Sequence, residues 1–237
     1  AIAAPLPKYS VSISDGTRIK EFVDRAWKVA TNGYPGPVHL SLPVDIMFAS
    51  FEEYIVQERP YNSTPTRISR AWPEPEQLDQ IIDIIKKAKN PIFIGGHGVW
   101  WSKNESKLGQ AGEKLNIPIF NIPYHQKLLN ETCRVYMGLA DIHQYSPSKF
   151  ALHSSDCIIM LGCRLDNQMN FGNPPLIPKS AKLICVNGSD EEINFNRSAD
   201  ELLLSDPGAF LDELTKNFIP SEWATEKDWI EKNIKAR

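Results

Sequence analysis

The sequence predicts an α/β protein: a doubly wound parallel sheet, preceded by a piece of a second α/β domain. Two observations carry this. Runs such as Ile92-Phe93-Ile94, Cys157-Ile158-Ile159-Met160-Leu161 and Leu183-Ile184-Cys185-Val186 are apolar without alternation, as strands covered on both faces are. Between them, apolar residues recur every three or four positions, the pattern of helices laid on a sheet.

Taken in order, residues 1–54 hold one helix and one strand. Ile19, Phe22, Val23, Ala26, Trp27 and Ala30 line one face of a helix over 18–31. Asn32-Gly33 supplies a left-handed stop and Pro35-Gly36-Pro37 a turn. Residues 38–42 then read as a short buried strand, with His39 structural inside it. One helix and one strand cannot enclose a core, so this segment is expected to be the C-terminal tail of a domain. Residues 55–73, with Pro60, Asn62, Ser63, Pro65 and Ser69, keep no apolar period and are expected to be a linker.

Residues 74–218 are expected to form the sheet domain. Pro75 suits a first helical turn, and Leu78, Ile81, Ile82, Ile85 and Ala88 give that helix one apolar face. A strand follows at 91–95, then a helix at 103–115 with Leu108, Ala111 and Leu115 inward. Strands are expected at 117–121 and 157–161, with a helix near 147–153 between them. A strand at 182–187, a short last one at 202–204, and a helix begun by Asp206-Pro207 and carrying Phe210, Leu211 and Leu214 complete the domain. Residues 219–237 are polar, with Trp223 and Trp229, and read as a linker toward a further domain.

Composition excludes several classes. Hydrophobic content of 42% and charged content of 23% are those of a soluble globular protein. A net charge of -3 spread along the chain provides no basic face, so no nucleic-acid partner is expected. No apolar run approaches the roughly 20 residues of a membrane helix, and no signal peptide opens the chain. Cys133, Cys157, Cys163 and Cys185 show no CxxC spacing, and Cys157 and Cys185 sit inside strand-like runs. Free buried thiols are the expectation, which points to a reducing compartment and the cytoplasm. The five histidines show neither HExxH nor another ligand spacing, so no metal is expected in this chain. There is no GxSxG, no Walker loop and no candidate cysteine nucleophile.

Ligands of open parallel sheets bind outside the carboxyl ends of the strands. Three strand ends here have that character: Gly95-Gly96-His97-Gly98, Gly162-Cys163-Arg164-Leu165-Asp166 and Asn187-Gly188-Ser189-Asp190. One reading is a nucleotide crevice in which amides of Gly95, Gly96 and Gly98 meet a phosphate, Arg164 adds charge and Asp190 reaches toward a ribose. The other is that these loops only turn strand into helix, since no GxGxxG fingerprint occurs. Arg164 and Asp166 form either an anion site or a surface pair. His97 either contacts a ligand or is a solvent-exposed turn residue. Trp100 and Trp101 read as packing residues.

Two stretches resemble the thiamine-diphosphate enzymes. Gly33-Tyr34-Pro35-Gly36-Pro37-Val38, running to Leu42-Pro43-Val44-Asp45-Ile46, resembles the GRPGPV…IPxDV close of their pyrimidine-binding domain. Lys89-Asn90-Pro91 to Gly98, then Ser155-Asp156-Cys157 to Asp166, resembles the A-x-x-P-(apolar)-G-G-G…A-D-(apolar)-G-x-R-x-D pattern of their central domain. The two stand in the family's order and cover nearly the whole chain. The resemblance implies a parent built of pyrimidine, central and pyrophosphate domains. There an early glutamate of the pyrimidine domain activates the thiazolium of thiamine diphosphate, and a GDG…N motif of the pyrophosphate domain holds Mg2+ and the diphosphate; neither has a counterpart here. No catalytic residue is therefore expected in this chain, and it is expected to be an inactive fragment.

For the parent, the resemblance implies an acetolactate synthase-like enzyme, with 2-oxoacid decarboxylation and carboligation on a small-molecule substrate. Its partners would be the missing domains and further copies in a homodimer or homotetramer. The alternative is a 2-hydroxyacyl-CoA lyase or oxalyl-CoA decarboxylase-like enzyme, because Arg164-Leu165-Asp166 through Phe171-Gly172-Asn173-Pro174-Pro175 resembles the R-L-x-x-x-x-x-F-G-x-P-P stretch of the lyases. An alternative of another class is a non-catalytic nucleotide-binding or subunit-contact module. Acetolactate synthases hold FAD in the central domain and oxalyl-CoA decarboxylase-like relatives an adenine nucleotide. The flavin contacts would map to Gly95, Gly96, Gly98, Gly162 and Arg164. Gln168 stands where a second arginine is expected, and Gly138-Leu139-Ala140-Asp141 where a GMHG-like stretch is expected. An ADP-like nucleotide is therefore expected to bind better than FAD.

Overall fold

The structure is a computed structural model and describes residues 5–33, 35–49, 70–123, 128–140, 146–193 and 196–237. The chain divides into two compact units, Ala1–Ser69 and Arg70–Arg237. Of the linker expected at 55–73, residues 55–69 lie outside the described residues.

In the first unit, β1 (Tyr9–Ser12) and β2 (Val38–Ser41) pair in parallel, and α1 (Ile19–Thr31) crosses between them. Asp15 accepts from the Thr17 amide at 3.0 Å and bends the chain into the helix. Lys8 Nζ donates to Asn32 O at 2.8 Å where the helix ends. A short helix, α2 (Val44–Phe48), follows. The expected burial of β2 is not found. Among the described residues, two strands and one long helix cover little surface: β2 is partly buried and His39 is exposed, its Nδ1 3.1 Å from Ser10 Oγ. On α1 only Ala26 is buried, and Trp27, read as inward, is 67% exposed.

The second unit opens with α3 (Pro75–Lys87). Glu74 caps it by accepting from the Gln77 amide at 3.0 Å, Pro75 starts it, and Leu78, Ile81, Ile82 and Ile85 form its buried face. The sheet strands are β3 (Pro91–Gly95), β4 (Ile119–Asn121), β5 (Tyr136–Leu139), β6 (Cys157–Leu161), β7 (Lys182–Asn187) and β8 (Glu201–Leu204). They lie in the order β5-β4-β3-β6-β7-β8, and every pairing is parallel. The expectation of a doubly wound parallel sheet therefore holds. Side chains of β3, β4 and β6 are buried throughout, which is why their sequences show no alternation.

Between β3 and β4 run two helices, α4 (His97–Trp101) and α5 (Glu105–Leu115). The sequence placed one helix start at Lys103; that residue instead has φ +54° and breaks the two apart. α5 ends at Asn116 in the left-handed region. α6 (Ser146–Ser154) precedes β6, and α7 (Pro207–Lys216) follows β8 and packs against α5. Asp156, between α6 and β6, accepts from the Lys89 and Asn90 amides, each at 2.8 Å, and so fixes the entry to β3.

Residues 219–237, read from sequence as a polar lead toward a further domain, end in α8 (Trp229–Ala236), which packs against α6. Trp229 is 1% exposed and donates from Nε1 to Pro91 O at 2.9 Å. Trp229, Ile230 and Asn233 form a buried stripe that a count of polar residues hides.

The start of α7 is held by a buried polar group. Asp206 accepts from the Ala209 amide at 3.0 Å and from Asn104 Nδ2 at 3.1 Å, and Arg70 Nη1 lies 3.5 Å from it. Asp206→Ala removes a helix cap and leaves the buried Asn104 amide short of an acceptor. We expect about 2 kcal/mol of lost stability from these two effects together. A urea midpoint unchanged from wild type would contradict it.

Candidate crevice at the reversal of strand order

The six strands, numbered as they occur, lie 3-2-1-4-5-6, so the order reverses between β3 and β6. Loops leaving the carboxyl ends of two such strands diverge and open a crevice. Gly95 and Leu161 pair across that junction, and Leu161 pairs with Val186 of β7, so the three candidate loops emerge side by side.

The first two loops cross backbone to backbone. Gly98 N donates to Gly162 O at 2.8 Å, and Gly96 N donates to Leu161 O at 2.9 Å. A Cβ on Gly98 would sit 2.6 Å from Gly162 Cα, and one on Gly96 would sit 2.3 Å from Cys163 Cβ. Gly162 has φ +60°, and a Cβ there would sit 2.5 Å from Gly98 Cα. This corrects one part of the sequence reading: the Gly96 and Gly98 amides serve the protein itself. Gly95 is buried at the end of β3, where its carbonyl accepts from the Ile122 amide at 3.1 Å.

Arg164 faces a carboxylate from the third loop. Arg164 Nη1 lies 3.4 Å from Glu192 Oε1, so a glutamate 28 residues away is its ion-pair partner. Asp166, which the sequence set beside Arg164, caps the next turn by accepting from the Gln168 amide at 2.9 Å. Asp190 is exposed and opens the short turn that carries Glu192. Asn187 is buried, its Oδ1 accepting from the Ser189 amide at 3.4 Å, and a Cβ on Gly188 would meet nothing within 4 Å. Trp100 and Trp101, read as packing residues, are 43% and 48% exposed and pack edge-on against each other at 4.9 Å. Each sits on the outer side of a five-residue helix whose only buried side chain is Val99.

His97 is exposed at the start of α4, as one sequence reading had it; partial desolvation lowers its pKa below the ordinary 6.5, the Arg164 charge lowers it further, and Asp166 partly opposes them. A histidine harder to protonate when folded makes the unfolded chain bind more protons. Its contribution to stability is full above pH 6.5 and is lost as pH falls through the lower folded value. His97→Gln should therefore shrink the loss of stability between about pH 7.5 and about pH 5.5. Urea midpoints at both pH values measure this; an identical acid loss in the variant would count against it. Burial raises the Cys157 and Cys185 thiols to about 12, and pushes Cys163 up as well. None of these three is a nucleophile at neutral pH.

A second arginine braces the chain that leads into β7. Arg197 donates to the carbonyls of Gly172, Pro178 and Ala181 at 3.3, 3.1 and 3.2 Å. It thereby ties Gly172, within the Phe171-Gly172-Asn173-Pro174-Pro175 stretch, to the residues just before β7. Its partners are 16 to 25 residues away and all are carbonyls, so no motif announces it.

Comparison with known proteins gives the crevice its family. The family described as "Thiamine pyrophosphate enzyme, central domain" matches residues 78–214. The chain belongs to this family. A probable acetolactate synthase large subunit of Methanococcus aeolicus is 28% identical over 238 residues, covering 98% of this chain and 38% of the relative. A 2-hydroxyacyl-CoA lyase 2 of Homo sapiens is 26% identical, covering 96% and 40%. Among solved structures, a putative thiamin diphosphate-dependent enzyme from Mycobacterium smegmatis superposes with a TM-score of 0.68 at 20% identity, covering 96% of this chain and 41% of the other. The chain thus spans about two fifths of the length of these relatives.

Thiamine pyrophosphate enzymes need a holder for the cofactor and its metal. Among the described residues no group of three or more His, Cys, Asp or Glu side chains gathers to hold a metal ion. Among the described residues no helix is long and apolar enough to cross a membrane.

Proposed function

We propose that this chain is the middle portion of a longer thiamine-diphosphate-dependent enzyme of the acetolactate synthase type, with the crevice between β3 and β6 receiving an ADP-like nucleotide. The observation that carries the reading is the likeness to an acetolactate synthase large subunit along 98% of the chain. In this reading the cofactor bound elsewhere supplies the electron sink for 2-oxoacid chemistry. The residues here contribute a rigid wall and a phosphate contact, Arg164, and by themselves catalyse nothing. The preference for ADP over FAD rests on Gln168, which offers no charge, and on the buried Asn187 in place of a ribose-binding carboxylate. Losing one charge-assisted contact weakens binding roughly tenfold to hundredfold.

A second reading, a 2-hydroxyacyl-CoA lyase-like parent, is favoured by the stretch that Arg197 ties at Gly172, which resembles that of the lyases. Both readings place an adenine nucleotide at the same crevice. Calorimetric titration of the chain with ADP, with FAD, and with thiamine diphosphate plus Mg2+ tests the proposal. ADP should bind more tightly than FAD, and thiamine diphosphate should give no saturable heat. Micromolar FAD binding that Arg164→Ala abolishes would reverse the nucleotide preference. Saturable thiamine diphosphate binding would overturn the middle-portion reading.

A further inference from the structure

Arg164 is the cation a phosphate would meet in this crevice, yet its guanidinium already faces a carboxylate. Glu192 Oε1 lies 3.4 Å from Arg164 Nη1, and the two side chains differ in exposure: 13% for Glu192 and 47% for Arg164. The carboxylate is thus the withdrawn member of the pair and the guanidinium the accessible one. The Glu192 backbone is held by its amide donating to Ser189 O at 3.4 Å, directly after the buried Asn187 of β7. A carboxylate so placed is costly to leave without its cation.

We propose that Glu192 sets which ligands the crevice accepts: it occupies Arg164 as an internal anion, and a phosphate group binds there by displacing the Glu192 carboxylate. The inference rests on the nucleotide reading given above and adds to it a residue that determines selectivity. An uncharged nucleoside does not compete for Arg164 and escapes this selection. A phosphorylated one meets it in full.

The test is a calorimetric titration of the 237-residue chain with ADP and with adenosine, using wild type, Glu192→Gln, Arg164→Ala and the double variant. Glutamine keeps the size of the side chain and removes its charge. ADP should bind Glu192→Gln roughly tenfold more tightly than wild type, as relief of one competing charge-assisted pair implies. Adenosine should bind the two equally, and the gain for ADP should vanish when Arg164 is also replaced. Equal ADP affinity in wild type and Glu192→Gln, or an equal gain for adenosine, would overturn the role of Glu192 and leave the nucleotide reading standing. ADP failing to bind any of the four proteins at millimolar concentration would remove both.

Discussion

Trp229→Ala should cost the second unit about 4 kcal/mol, the scale of deleting a large aromatic side chain from a packed core. The indole is 1% exposed, lies 5.7 Å from the Phe150 ring between centroids, and donates to the Pro91 carbonyl. The variant therefore opens a cavity and also leaves the first residue of β3 short of a donor. A fall of about 10 °C in thermal midpoint is expected for a unit of this size. Trp101→Ala, in the same unit but half-exposed, should change stability by no more than about 0.5 kcal/mol. Equal effects from the two tryptophans would mean that residues 219–237 do not pack as described.

Gly162→Ala is expected to cost about 3 kcal/mol, from two separate effects. The left-handed backbone at φ +60° penalises any side chain, and the new Cβ would sit 2.5 Å from Gly98 Cα. Backbone cannot yield as a flexible side chain does, so strand ends β3 and β6 would have to part. Gly188→Ala is the control, because a Cβ there meets nothing within 4 Å. Denaturant midpoints of both variants measure the difference; a mild Gly162→Ala would contradict the close crossing of the two loops.

These two sites show where the sequence is readable and where it is not. Strands β3, β6 and β7 announce themselves because residues buried on both faces must be apolar at every position. Helix α3 does so because one face must be. β1 does not: Tyr-Ser-Val-Ser has no period of its own, and it becomes a strand through pairing with β2, 29 residues later. β5 is short and contains Gly138 at φ +94°, a glycine pattern that reads as a turn. α8 carries a narrow buried stripe in a polar segment, so its helical period is visible but its burial is not.

The candidate crevice divides the same way. Glycines at the ends of two strands identify its position, since only glycine permits so close an approach. What those glycines do is not in the sequence, for a loop that cradles a ligand and a loop that crosses its neighbour need the same residue. Glu192 and Arg197 act across 28 and up to 25 residues, and local pattern holds no trace of either pairing.

If this chain is the middle of a thiamine-diphosphate-dependent enzyme, the native polypeptide bearing it is much longer, and its mass decides the matter. Peptides from residues 146–193 and 196–237, used to locate the protein by mass spectrometry in the source cells, would identify that polypeptide. One chain of about 500 to 600 residues is expected, the size of three ordinary domains. A native chain of 237 residues would contradict it and leave a self-standing module with an acetolactate synthase-like fold.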